Sequence, residues 1–98
     1  MEFTFTSELW LWPGDAGWHF VSLPEAVADE ITDRHDGHKR GFGSLKVRVR
    51  TGASEWNTSI FRDSKRGTYL LPVKKQVRTR EKVEDGDLME VHLTVVED

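Results

Sequence analysis

Cysteine is absent from all 98 residues. That excludes disulfides and thiolate chemistry, leaves any zinc site to histidine and carboxylates, and fits a reducing compartment such as the cytoplasm. No apolar run approaches the ~20 residues that cross a bilayer as a helix. Met1-Glu2-Phe3 has neither a basic nor an apolar leader region, so no signal peptide is expected, and the sequon Asn57-Thr58-Ser59 is read as chance. There is no Gly-x-Ser-x-Gly elbow, and Gly37, Gly41 and Gly43 lack the spacing of a phosphate-binding loop. Proline is scarce, at three residues, so each one punctuates the chain. Bases are scarce at both ends. Residues 1–38 carry eight acids and one base, and residues 83–98 carry six acids and none. The middle, residues 39–82, carries thirteen bases and three acids, so a net charge of −3 hides a basic centre.

What is present reads as one small domain spanning residues 1–98, without internal repeats. The clearest pattern is the alternation of Met89, Val91, Leu93 and Val95 with Glu90, His92 and Thr94, which predicts a strand over Leu88–Val96. Leu45, Val47 and Val49 alternate with Lys46, Arg48 and Arg50 in the same way. Further strands are expected over residues 2–12, Trp18–Leu23, Trp56–Phe61 and Thr68–Val73, the first two forming a hairpin around Pro13–Gly17. Pro72 cannot donate to a sheet ladder, so its strand ends, bulges or lies at an edge there. Pro24 suits the start of a helix, with Val27, Ala28 and Ile31 as its apolar stripe and Asp33 as its end. Lys74–Lys82 reads as a second, basic helix. Residues 33–44 lack periodicity and read as an exposed loop. The expected class is mainly β: a small barrel of about six strands, with one short helix after the second strand and another before the last.

Four runs in order carry a resemblance. They are Trp18–Pro24 before a short helix, Trp56-Asn57-Thr58-Ser59-Ile60, Gly67–Arg78, and Gly86–Leu93. Together they resemble a family of small bacterial proteins known only as a domain of unknown function, whose members also occur fused to bacteriocin-protection YdeI/OmpD-associated domains. The resemblance implies a double-split β-barrel and carries over no catalytic residue. Thr79–Glu84 is more charged than the family's linker, so the length of the second helix stands open.

Candidate chemistry is sparse. Asp33, His35, Asp36 and His38 have metal-ligand side chains, but no third or fourth ligand has diagnostic spacing, so no metal and no cofactor is expected. His19 and His92 are read as rim or exposed strand residues, and Ser59 faces away from the core, so no catalytic residue is assigned and no enzyme is expected. A hydrolase-type activity ranks behind every binding role. The four tryptophans are read chiefly as core, with Trp10 and Trp12 crowded enough that at least one is partly exposed. The expected function is a non-enzymatic binding module, monomeric or homodimeric, for a protein partner or a small anionic ligand. Its expected site is the barrel mouth, where Lys74, Lys75 and Arg78 of the basic helix meet Trp56 and Tyr69 as inward-facing walls. The structural alternative pairs Arg78 with Asp87. The alternative function is nucleic-acid binding through Lys46, Arg48 and Arg50. Net charge weighs against that, and mixed DNA or RNA is expected not to bind at physiological salt. Cations on a strand face also guard sheet edges or pair with Glu2, Glu8 or Glu90.

Overall fold

A computed structural model describes residues 1–14, 17–35 and 44–96. Six antiparallel strands close into a barrel in the order β1-β2-β5-β4-β3-β6. They are β1 (Glu2–Leu11), β2 (His19–Ser22), β3 (Ser44–Thr51), β4 (Ser54–Asp63), β5 (Thr68–Pro72) and β6 (Leu88–Val95). Helix α1 (Glu25–His35) follows β2, and α2 (Lys75–Glu81) precedes β6. The expected class therefore stands. No helix among the described residues is long and apolar enough to cross a membrane.

Alternation decides the barrel's inside. Val91, Leu93 and Val95 of β6, Val47 and Val49 of β3, and Phe5 and Leu9 of β1 are all buried. Their neighbours Lys46, Arg48, Arg50, Thr4 and Thr6 face water. The Ala28–Ile31 face of α1 covers one end of this core. That helix runs on through Asp33 to His35, where the sequence suggested a loop had begun. Its last turn gains an Arg34–Glu30 pair one turn apart, at 3.4 Å. Of the proposed ligand cluster, Asp36 and His38 lie outside the described residues.

The ladders are unequal, and one interruption makes the site. Strands β3 and β4 pair from Ser44↔Phe61 to Thr51↔Ser54. Strands β4 and β5 pair only from Asp63↔Thr68 to Phe61↔Leu70. Two residues further along β5 stands Pro72, which has no N–H to give β4. The ladder stops and the strands part, leaving Trp56–Thr58 of β4 facing Pro72 and Val73 across a gap. Strand β5 keeps its other neighbour, because Val73 N–H donates to the His19 carbonyl at 3.0 Å.

Helix α2 is fixed at both ends over this gap. Val77, four residues after Val73, is buried as the spacing predicts. Lys82 ends the helix in the left-handed conformation, φ 57°, its N–H reaching back to the last turn. Seven residues is thus the helix length that the charged segment left open. The Glu81 carboxylate accepts from Ala53 N–H at 3.2 Å and from the buried Ser54 hydroxyl at 2.6 Å, tying the helix to the β3–β4 turn. Gly52 in that turn has φ +56°, and a Cβ there would collide with the same carboxylate.

Candidate binding site at the barrel mouth

The gap between β4 and β5 is a recess of about 440 Å³. Trp56, Asn57 and Thr58 form one wall, Pro72 and Val73 the other, and Gly17, Trp18 and His19 close the end. Lys74, Lys75 and Arg78 line it from the helix side. Trp56 faces inward by its parity on β4 and packs half-buried against the core. Lys74 precedes the first helical residue with extended backbone, and its ammonium, which has no acceptor, makes no capping bond to the helix N–H groups. Among the described residues the lining contains three permanent cations, one imidazole and no carboxylate.

Arg78 is oriented by backbone. Its Nε donates to the Val73 carbonyl at 3.2 Å, and one terminal nitrogen reaches the Gly17 carbonyl at 3.5 Å. The pairing with Asp87 does not form. Asp87 instead accepts from the Glu84 N–H at 2.9 Å, closing its own turn. A guanidinium has five N–H donors. With two of them on carbonyls, the fork keeps its full charge and the remaining donors for an anion. His19 Nδ1 donates to the Gly17 carbonyl at 3.2 Å, so both side chains brace the same loop.

Four of the five predicted mouth residues, Trp56, Lys74, Lys75 and Arg78, line one recess. Tyr69 does not. It pairs across the ladder with Arg62, six residues along β4 from Trp56, which is about 20 Å at the usual rise. There its ring is buried, its hydroxyl shares a 3.2 Å hydrogen bond with Thr32 of α1, and the Arg62 guanidinium lies 5.3 Å from the ring centre. The inward parity was right and the height in the barrel was not.

Lys46, Arg48 and Arg50 are exposed on the outer face of β3. That strand pairs with β4 on one side and β6 on the other, so these cations guard no free edge. Among the described residues no carboxylate forms an ion pair with them. Lys46 and Arg48 line a separate outer recess with Asn57, Ser59 and Phe61, and Arg50 lies outside it.

The tryptophans correct the core reading. None of the four belongs to the buried core among the described residues. Trp10, Trp12 and Trp18 form an outer-face cluster with Phe20, ring centres 5.5–5.8 Å apart. Trp10 Nε1 donates to the Ser22 hydroxyl at 3.0 Å. Above them Arg66 lies 4.7 Å from the Trp10 ring centre and 5.5 Å from that of Trp12. Asp63 holds that Arg66 in a 2.6 Å ion pair. Burial pushes the Asp63 carboxyl up, but the Arg66 hydrogen bonds and charge, with the Lys65 N–H, outweigh it and hold the group below its ordinary range. A signal for this cluster was present: Trp10, Trp12, Trp18 and Phe20 all have even numbers, opposite to the buried Leu9, Val21 and Leu23.

No curated protein matches the chain. The model of one family, the domain of unknown function DUF1905, matches residues 5–93, which run from within β1 to within β6 and take in the four strands and both helices between, and the chain belongs to that family.

Proposed function

We propose that this DUF1905 domain is a non-enzymatic binding module whose mouth recess takes a small anionic ligand or the acidic group of a protein partner. The observation that carries the reading is the meeting of Lys74, Lys75 and Arg78 against an aromatic and aliphatic wall that contains no carboxylate. A few convergent polar groups on an apolar wall are how small-ligand sites are built. The Arg78 fork, already oriented by two carbonyls, suits a planar carboxylate or a phosphate, while the two lysines supply point charges. A role without turnover is supported by the lining, whose single hydroxyl, Thr58, makes no hydrogen bond to its single imidazole, His19, among the described residues. The cysteine-free composition suits work in the cytoplasm, as a monomer or homodimer.

The test is a thermal-shift and calorimetry screen of mono- and dicarboxylates and phosphate monoesters, at low and physiological salt. A ligand that binds only the folded state at a hundred times its Kd stabilises by about 2.7 kcal/mol. The expected result is a salt-sensitive rise in Tm that the double variant Lys74→Ala, Lys75→Ala loses. A screen in which no anion raises Tm, or in which the double variant responds as the parent does, would falsify the mouth as an anion site.

A further inference from the structure

The outer aromatic face carries an unassigned site of its own. Trp12, Trp18, Phe20, Phe61 and Leu70 line a cleft of about 760 Å³ whose other wall is the β4–β5 turn with Arg62, Lys65 and Arg66. Register sets the neighbours of its lining residues, Trp10 itself lying outside the cleft. Trp10 stands opposite Phe20 and Phe20 opposite Pro72, while Phe61 stands opposite Leu70. Trp18 remains 51% exposed and Phe61 43%. Trp18 is stacked on Phe20 at 19° between planes. Phe61 also lines the outer recess of about 540 Å³ that holds Lys46 and Arg48. The two recesses therefore meet at Phe61. Cations and flat rings follow one another over the outside of β3, β4 and the turn, five cations to one carboxylate, and that carboxylate, Asp63, is already paired with Arg66.

We propose that this track binds single-stranded nucleic acid. Bases stack on Trp18 and Phe61, and phosphates pass Arg62 and Lys65 at one end and Lys46 and Arg48 at the other. A polynucleotide offers one flat ring and one negative charge in every unit, which is the alternation the surface displays. An acidic peptide would answer the cations and leave the rings without a partner of matching shape. A second copy of this chain, joined about a two-fold axis, would bring the cations against one another. The proposal stands apart from the mouth reading, since the track shares Trp18, Asn57 and Thr58 with the mouth but none of its cations. It also departs from the expectation drawn from net charge, because the relevant charge is local.

The experiment titrates the whole domain into labelled oligo(dT) and oligo(U) of about twelve nucleotides, within the site sizes such platforms cover. Anisotropy is read at several salt concentrations, beside a duplex of equal length and a poly-glutamate peptide. Single strands are expected to bind at micromolar protein, with log K falling against log salt by about 0.7 for each phosphate neutralised. Unlabelled oligonucleotide should quench tryptophan emission. Phe61→Ala should weaken binding by roughly five- to a hundredfold, the range for loss of one stacked base, with Tm recorded to confirm folding. Lys65→Ala should lower the salt slope, whereas Arg80→Ala, outside the track, should leave it unchanged. Absence of salt-sensitive binding would overturn the proposal. So would equal affinity for duplex, displacement by poly-glutamate at equal charge, or binding that neither quenches tryptophan nor weakens in folded Phe61→Ala.

Discussion

The mouth recess and the outer cleft are both basic and both aromatic, yet they are built in opposite ways. In the mouth, one inward ring, Trp56, continues the core, and the charge arrives separately on α2. In the cleft the rings of Trp12 and Phe20 come first, facing outward, and the Arg66 guanidinium is laid over Trp12. The difference follows from volume. The largest fully enclosed side chains are Leu, Ile and Val, with Ser54 and Ala28 also enclosed, and the indoles gather outside or at an end. The charge of the mouth therefore depends on how a helix is held, and that of the cleft on how a turn is held.

The two supports can be removed separately. Glu81→Ala should have the largest effect. It leaves the Ala53 N–H and the buried Ser54 hydroxyl without their acceptor, and bonds to a charged group contribute about 1.5–3 kcal/mol. Urea denaturation should register that loss. Anion binding at the mouth should fall with it while the tryptophan emission of the cleft stays unchanged. A variant that loses stability and keeps mouth affinity would mean that the clamp does not position α2.

Arg78→Ala comes next. Its acceptors are neutral carbonyls, one of them distant, so about 1 kcal/mol of stability is expected to go. Anion binding should be abolished. Arg78→Lys should restore part of the affinity through charge alone, without the fork. A variant neutral in both melting and binding would remove Arg78 from the site.

Trp18→Ala is predicted to cost less, about 0.5–1 kcal/mol, because the ring is half in water and loses chiefly its stacking on Phe20. It is the sharpest probe of the comparison, since both recesses share this ring. Parallel titrations should find both ligands weakened; an effect on one alone would assign Trp18 to that recess.

The smallest effect is the titration of Asp63. Its carboxyl is held below the ordinary range in the folded state, so its stabilisation is fully present above the unfolded value. That contribution is lost as pH falls through the folded value, below about pH 4. Arg66 then loses its partner, and the Trp10 and Trp12 emission should change in that window before the fold melts. Asp63→Asn should abolish the step. A step that survives in the variant has another origin.

Much of the fold was legible because alternation is a local property. The pattern of β6 names its buried residues almost without remainder, and β3 does the same. Pro72 announced the end of a ladder, and the gap that forms the site opens there. What parity cannot supply is height along the barrel. Trp56 and Tyr69 are both inward, and only the register of β4 against β5 reveals that they stand near opposite ends. Nearness in sequence misled in the same way at Arg78 and Asp87. The left-handed Lys82 turns the chain between them, and the guanidinium finds carbonyls of Val73 and Gly17 instead. The outward tryptophans were legible in principle, since they share a parity opposite to Leu9 and Val21. Their hydrophobicity argued for the core, and only the closed size of the barrel decides against it.

The pairing of β1 with β6 has a consequence in time. The longest ladder of β1 runs from Glu2↔Thr94 to Glu8↔Leu88, and the Thr4–His92 side-chain contact spans 88 positions. Strand β1 therefore waits for β6 before most of its backbone is satisfied, and closing so long a loop precedes any gain from the ladder. Barrels ruled by such distant pairings fold in milliseconds to seconds, whereas helical bundles take microseconds to milliseconds. Trp10 and Trp12 find their partners at once in the β2 hairpin, but during that interval the Glu2–Glu8 stretch, with Phe3 and Phe5, stands on an unpaired strand. A growing chain of this protein thus carries Phe3 and Phe5 open until nearly all of the barrel has been made.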